Sequence, residues 1–546
     1  MKLVQRLLVA PAALGLLAPV AAGVAGSANA SELNLDGVGD YSSSREQVTS
    51  ISQFSDVYPT DWAYQALSNL IERYGCVAGY PDGTYRGGRA MTRFEAAALL
   101  NACLDRITEV TDELKRLMKE FEKELAILRG RVDGLEARVG ELEATQFSTT
   151  TTLEGQASFV IGANSFGGDA REVVTIVDDD GGVIRIERGD KRSDRAAEEF
   201  GATTFSYDVQ LALTTSFTGK DALITILRAG NFADSSFGGA GPSSLSTLEV
   251  AFQEDAGLDV VGIDRLMYTF PMGDNWTVWL GGRIGQEDML PIWPTAYASD
   301  ITSTVLDVTT LPGAVGAYNK NLGAGAGLTW ESGGFAVHAN YVSANADNGN
   351  PNEGGIATDG AEGTGTVQIG YQGEQWAIAA IYSYLSKGTL IPHGTSFLQE
   401  SLEFFDAQGT NAFGLSAYWQ PADSGWVPSI SVGWGINSHS YDGGTPDGAV
   451  TESQSWSVGL EWDDVFIKGN AFGMAVGQPT FATALEGDDI TAKDGNYVWE
   501  WWYKFQVTDN ITVTPALFYL SRPLGQFTTG ESFNQLGGLV RTTFAF

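Results

Sequence analysis

Histidine and cysteine are nearly absent from this chain: three and two of 546 residues. Two cysteines cannot form a disulfide scaffold. His338, His393 and His439 show none of the spacings that hold a catalytic metal, and no glycine-rich phosphate loop opens a helix. Asp178-Asp179-Asp180 reads as a solvated loop rather than an oxygen cage for Ca²⁺. No cofactor or metal is expected, and the chain reads as no enzyme. Basic residues are also scarce, 32 against 67 acidic, for a net charge of −35. A nucleic-acid partner needs a basic footprint, so that class is excluded. After residue 30 there is no run of about 18 apolar residues, so no helix can span a bilayer. Glycine, by contrast, is abundant: 67 residues, alongside 11% aromatics. That combination leaves β-rich folds, among them outer-membrane barrels.

The first thirty residues are an export address. Lys2 and Arg6 precede an apolar stretch from Leu7 to Val24, broken by Pro11 and Pro19, and Ala28-Asn29-Ala30 supplies a cleavage motif. A signal peptide over 1–30 is expected, then a Ser- and Gly-rich flexible leader over 31–50. Charge is uneven beyond it. Residues 1–150 hold 15 basic and 20 acidic residues, leaving 17 and 47 for 151–546, a net of −30.

Residues 51–103 carry Phe54-Ser55-Asp56-Val57, then Trp62-Ala63-Tyr64, then Gly79-Tyr80-Pro81-Asp82-Gly83-Thr84, then Thr92-Arg93-Phe94-Glu95. Pro-Asp-Gly is a turn signal, and Thr92 with Glu95 forms a capping box, so the segment predicts helix, turn, helix. These elements, in this order, resemble an S-layer-homology (SLH) domain, the module that holds bacterial envelope proteins to cell-wall polymers. Met91 departs from the leucine common in that family. The resemblance implies a polymer pocket built from Arg93 and the Gly79–Thr84 loop, with Thr92, Glu95 and Trp62 around it. Cys76 and Cys103 lie in this module. An even pair in an exported chain suggests a disulfide, two buried thiols being the other reading.

From 104 to 145 the period is seven. Ile107, Leu114, Phe121, Leu128, Leu135 and Leu142 fill one heptad position, and Leu104, Thr111, Met118, Leu125, Val132 and Val139 the other. Strict seven-residue spacing predicts a left-handed coiled coil, about 60 Å long at ~1.5 Å per residue.

Near residue 147 the period becomes two. Trp456, Val458, Leu460 and Trp462 alternate with Ser455, Ser457, Gly459 and Glu461. Tyr497, Trp499, Trp501, Tyr503 and Phe505 alternate with Val498, Glu500, Trp502, Lys504 and Gln506. About sixteen such segments occur, joined alternately by short turns and long loops, and the chain ends Phe544-Ala545-Phe546. An all-β transmembrane antiparallel barrel over 147–546 is expected, its apolar face towards lipid, preceded by the helical SLH module and the coiled coil. An even strand count places both barrel ends in the periplasm. The third long loop, about 286–321, carries Glu287, Asp288, Asp300 and Asp307. These acids are the candidates for a pore constriction, with Arg283 facing inward by alternation from Trp276. An ordinary external loop is the other reading. Alternation also turns Glu500, Lys504, His338 and Arg541 inward.

Export signal, SLH motifs, coiled coil and barrel together resemble the cyanobacterial outer-membrane porins, whose barrel is similar to that of the carbohydrate-selective OprB-like porins. The resemblance implies a homotrimer in outer-membrane lipid, passive passage of small hydrophilic solutes or ions, and contact with peptidoglycan-linked polysaccharide. A mainly structural outer-membrane–wall tether with a nearly closed barrel is the alternative.

Overall fold

The computed structural model describes residues 150–546 except 178–182, 255 and 488–490, together with Tyr58, Tyr64, Ser68 and Lys119; side chains of 173–187 and Ile301 are also outside the description. The segments expected to be signal peptide, flexible leader, polymer pocket and coiled coil, with Cys76 and Cys103, therefore lie outside the described residues, as does Asp178-Asp179-Asp180.

Eighteen strands follow one another from Thr151. They are β1 (Thr151–Gly168), β2 (Arg171–Val177), β3 (Val183–Lys191), β4 (Thr204–Thr215), β5 (Ala222–Gly230), β6 (Gly262–Met272), β7 (Trp276–Gly285), β8 (Leu322–Ser332) and β9 (Phe335–Ser343). Then come β10 (Gly363–Gln372), β11 (Trp376–Ser386), β12 (Ala407–Trp419), β13 (Ser429–Tyr441), β14 (Val450–Asp463), β15 (Ala471–Leu485), β16 (Tyr497–Thr508), β17 (Ile511–Ser521) and β18 (Phe533–Ala545). All except β2 and β3 form one closed antiparallel barrel in which each strand pairs with its sequence neighbours and β1 closes on β18. That is sixteen strands, as the alternation predicts. Closure leaves no unpaired edge, the condition for crossing lipid with strands.

The outer face is apolar because the alternating set is Val, Leu, Ile and aromatic. Leu280, Ile369, Leu415, Val432 and Leu517 are all exposed on it. Aromatic pairs ring the end that bears the short turns: Trp276 lies opposite Trp330, and Trp376 opposite Trp419. Trp434 opposite Trp456 lies on the same face nearer mid-strand. On β16, Tyr497 to Phe505 spans eight residue steps, about 20 Å at ~3.3 Å per residue and ~40° tilt, close to the apolar band of an outer membrane.

Most connections at one end are short turns and most at the other are long loops. The β8–β9 turn is the pair Gly333-Gly334, both at positive φ (57° and 88°), as the tightest hairpin turns require. Loops at the opposite end are L1 (169–203), L2 (231–261), L3 (286–321), L4 (344–362), L5 (387–406), L6 (442–449), L7 (486–496) and L8 (522–532). L1 holds the β2–β3 hairpin and helix α1 (Arg192–Phe200), L3 the short α2 (Asp307–Thr310) and L5 α3 (Ser396–Phe404). Thr395 caps α3 by accepting the Leu398 N–H at 3.2 Å.

Candidate functional site

Sixteen strands enclose more space than their own inward side chains fill. Here L3 enters that space and is held by wall residues on successive strands. Its Ile292 N–H donates to Gln368 on β10 at 3.3 Å, and Gln368 returns a bond to the Ile292 carbonyl at 2.9 Å. Ser416 on β12 donates to the Pro312 carbonyl, Ser431 on β13 accepts the Ala296 and Tyr297 N–H groups, and Ser455 on β14 bonds the Gly313 carbonyl and the Val315 N–H. Glu461 on β14 accepts the Ala298 N–H at 2.8 Å. On β18, Arg541 reaches Thr304 at 3.2 Å.

Glu500 on β16 gathers the most bonds. It accepts the Tyr297 hydroxyl at 2.5 Å, the Leu306 N–H at 2.6 Å and the Thr309 hydroxyl at 3.1 Å, and it is fully buried. Trp502, two residues on and therefore also inward, donates its indole N–H to the Tyr297 oxygen at 2.9 Å. The docking is close because the wall is glycine-rich there. A Cβ at Gly433 would stand 1.8 Å from the Pro312 carbonyl oxygen, and one at Gly459 2.4 Å from the Tyr297 ring. The crevice between Tyr297, Pro312, Ser431 and Gly459 holds about 10 Å³, room for one water at most.

L2 joins L3 inside the barrel. The Glu249 N–H donates to the Val305 carbonyl and the Asp307 N–H to the Thr247 carbonyl, both at 2.9 Å. Phe232, Phe237, Leu245 and Leu248 of L2 share one buried apolar cluster with Trp293, Tyr297, Leu306 and Tyr318 of L3 and Trp502 and Phe518 of the wall. Apolar burial in a barrel interior gives the two loops a core of their own, at about 1.5–3 kcal/mol for each large side chain.

The four acids expected at a constriction do lie on this inward loop, but each has a basic partner. Arg265 on β6 bonds Asp264 at 3.1 Å, Glu287 at 3.1 Å and Asp288 at 2.5 Å. Glu287 and Asp288 are each 3% exposed. Burial, reinforced by Asp288 alongside, pushes Glu287 up to about 7 against the pull of Arg265. Asp307 pairs with Lys320, which also holds Glu249 at 2.8 Å, and with His393 of L5 at 2.7 Å. Burial opposes the Asp307 charge, but Lys320 and the bonds from Glu249 and His393 outweigh it and hold the carboxyl well below the usual range. Asp300 caps the turn at Thr302, lies 4.0 Å from Lys504, and has the most exposed side chain of the four, at 28%.

Arg283 corrects the alternation argument. The pairing shifts between Gly281 and Ile284, where Gly281 faces Gly325 and Ile284 faces Gly323, and Arg283 falls opposite Leu266. Leu266 is 39% exposed, on the outer parity. A bulge inserts residues and resets the side-chain period, so counting from Trp276 does not place Arg283 inward. The other inward assignments agree with the structure: Glu500 and His338 are fully buried, Arg541 is 3% exposed, and Lys504 lies beside Asp300. His338 bonds Thr329 at 2.8 Å and Asn340 at 3.0 Å, which makes it a wall residue with satisfied partners.

Sequence reasoning missed L2 as an interior element, and with it Glu249, Lys320, His393 and the wall cation Arg265. The available signal was Leu245, Leu248, Val250 and Phe252, apolar residues inside an otherwise Ser- and Gly-rich loop.

Comparisons with known proteins cover nearly the whole chain. The family model described as carbohydrate-selective porin, OprB family, matches residues 109–546, and the S-layer homology domain model matches 53–97. An uncharacterized protein of Nostoc sp. is 36% identical, covering 92% of this chain and 86% of its own. The outer membrane protein SlpA of Deinococcus radiodurans is 36% identical over 97 residues, 16% of this chain and 8% of its own. Among solved structures, Pseudomonas putida OprB at high pH aligns with a TM-score of 0.46 and 13% identity, covering 74% of this chain and 96% of that one.

Proposed function

The chain belongs to the carbohydrate-selective porin, OprB family, carries an S-layer homology domain and resides in the outer membrane; on that premise, we propose that it is a passive pore for small hydrophilic solutes or ions, tethered to peptidoglycan-linked polymer. The observation that carries the reading is the third long loop lying inside a closed sixteen-strand barrel, bonded to the wall. A loop so placed narrows the aqueous space from within, and narrowing selects by size and charge without any covalent chemistry.

The tether rests on Arg93, with Thr92, Glu95, Trp62 and the Gly79–Thr84 loop, as the polymer pocket. Strand β1 starts at the short-turn end, so the chain before it enters from the side that faces the periplasm in outer-membrane barrels. Three protomers, joined through the heptad array at 104–145, would gather three such pockets; native mass after mild extraction tests this, a monomer being the contrary result. A Cys76–Cys103 bridge would tie the module together.

One observation favours a second reading, a wall tether with a nearly closed barrel: L2 and L3 share an apolar cluster inside the lumen. Swelling of vesicles containing the purified full chain separates the two. Uptake of small sugars or of KCl supports the pore. No uptake, with retained pelleting on cell-wall sacculi, supports the tether.

A further inference from the structure

The two widest turns at the short-turn end are 420–428, between β12 and β13, and 464–470, between β14 and β15. Both fold outward. The Trp426 carbonyl accepts the Trp462 indole N–H at 2.9 Å, and the Val465 carbonyl accepts the Tyr503 hydroxyl at 2.8 Å. Trp462 and Tyr503 belong to the lipid-facing parity, beside Phe472 (ring centroids 5.6 Å apart) and Phe505 (4.5 Å). A turn whose backbone is bonded to outward-facing rings lies over the outer wall, not across the mouth. Ser424 also donates to Asp464 at 2.7 Å, and Asp464 accepts the Gly469 N–H at 2.7 Å. The two turns are thus bonded to each other as one ledge.

That ledge displays apolar surface that none of the described residues covers. Trp426 is 94% exposed, Phe466 92%, Ile467 66% and Val427 51%. Phe466 stands at φ 63° and Asp464 at φ 58°, a region that is costly for side chains beyond glycine. Strain that projects a phenyl ring into water would gain nothing, whereas strain that projects it into an apolar medium is offset by burial.

We propose that this ledge inserts into the headgroup–glycerol zone of the periplasmic leaflet, with phospholipid as its occupant. Continuity with the lipid-facing ring of aromatics is the argument: Phe466 lies 6.3 Å from Tyr503, itself a member of that ring. Trp carries an apolar body and a polar N–H, the chemistry of the membrane interface, and exposed Lys468 supplies a cation for lipid phosphate.

The test uses the full chain in vesicles of phosphatidylethanolamine and phosphatidylglycerol that contain a phosphatidylethanolamine with a diazirine close to its glycerol. After illumination, peptides covering 420–428 and 464–470 are expected to carry lipid adducts within about threefold of the yield at Trp276 and Trp376, which sit in the ring. Trp426→Ser with Phe466→Ser should lower the ledge adducts about fivefold or more and leave those at Trp376 unchanged. Because mapping on the unaltered chain decides the matter, a variant that fails to fold does not. Adducts at Trp276 and Trp376 with none on the ledge would overturn the proposal. So would ledge peptides cross-linked to a second copy of the chain, or to an added protein, in place of lipid.

Discussion

Replacing Glu500 by Ala should unseat L3 without opening the barrel. The substitution removes the shared acceptor of three buried donors: the Tyr297 hydroxyl, the Leu306 N–H and the Thr309 hydroxyl. Thr309 keeps an alternative, because its hydroxyl also donates to the Leu306 carbonyl at 2.8 Å. Two donors are then left unpaired. At about 1–3 kcal/mol for each unpaired buried group, the seated loop loses about 2–6 kcal/mol. With 1.4 kcal/mol per factor of ten, even the lower bound multiplies the open population about 30-fold. Amide hydrogen exchange of the full chain in lipid reads this directly. Protection over 296–309 should fall about 30-fold or more, while strands β8 to β12 keep theirs. Glu500→Gln retains one carbonyl acceptor and should lose less. Unchanged protection in Glu500→Ala would refute the view that this carboxylate seats the loop.

Three further outcomes are expected. Asp300→Asn should lower the cation-to-anion permeability ratio about twofold at 0.1 M KCl and not measurably at 1 M, where the Debye length shrinks from ~10 to ~3 Å; an equal loss at both salts in reversal-potential measurements would place the effect elsewhere. Asp494 of L7 accepts the Thr395 hydroxyl, the Ala482 N–H and the Gln526 N–H, and burial pushes it up to about 6 from an ordinary 3.8. A raised carboxyl favours the folded state below about pH 4, and that contribution is lost as pH rises through 6; protection at the start of α3 should therefore fall between those values, and Asp494→Asn should remove the dependence. Arg93→Ala should weaken pelleting on cell-wall sacculi several-fold, since a fixed bidentate cation suits an acidic glycan; undiminished pelleting would remove Arg93 from the pocket.

Barrel strands were legible because their lipid face leaves an unbroken apolar alternation, as in Tyr497 to Phe505. The strand limits were less so. The apolar run Val465-Phe466-Ile467 forms the outward turn, and β15 runs only from Ala471 to Leu485. Alternation failed at Arg283 for a different reason, since a bulge is a property of the pairing and leaves no mark in composition. The position of L3 was readable as loop order, but its partners were not. Arg265 and His393 lie 22 and 86 residues from the L3 acids they meet, and Glu249 lies 71 from Lys320; no local pattern reports contacts made across a barrel. The β2–β3 hairpin and α3 escaped because neither repeats long enough to stand out within a loop.

Single-channel conductance in a planar bilayer tests the central claim, that this is a porin whose bore is set by an inward loop. The full chain should be compared with one in which 291–312 is replaced by a short Gly-Ser linker. Small discrete steps are predicted for the first and steps about threefold larger or more for the second, as the bore of a sixteen-strand barrel is released. Identical steps in the two, or none in either, would contradict it.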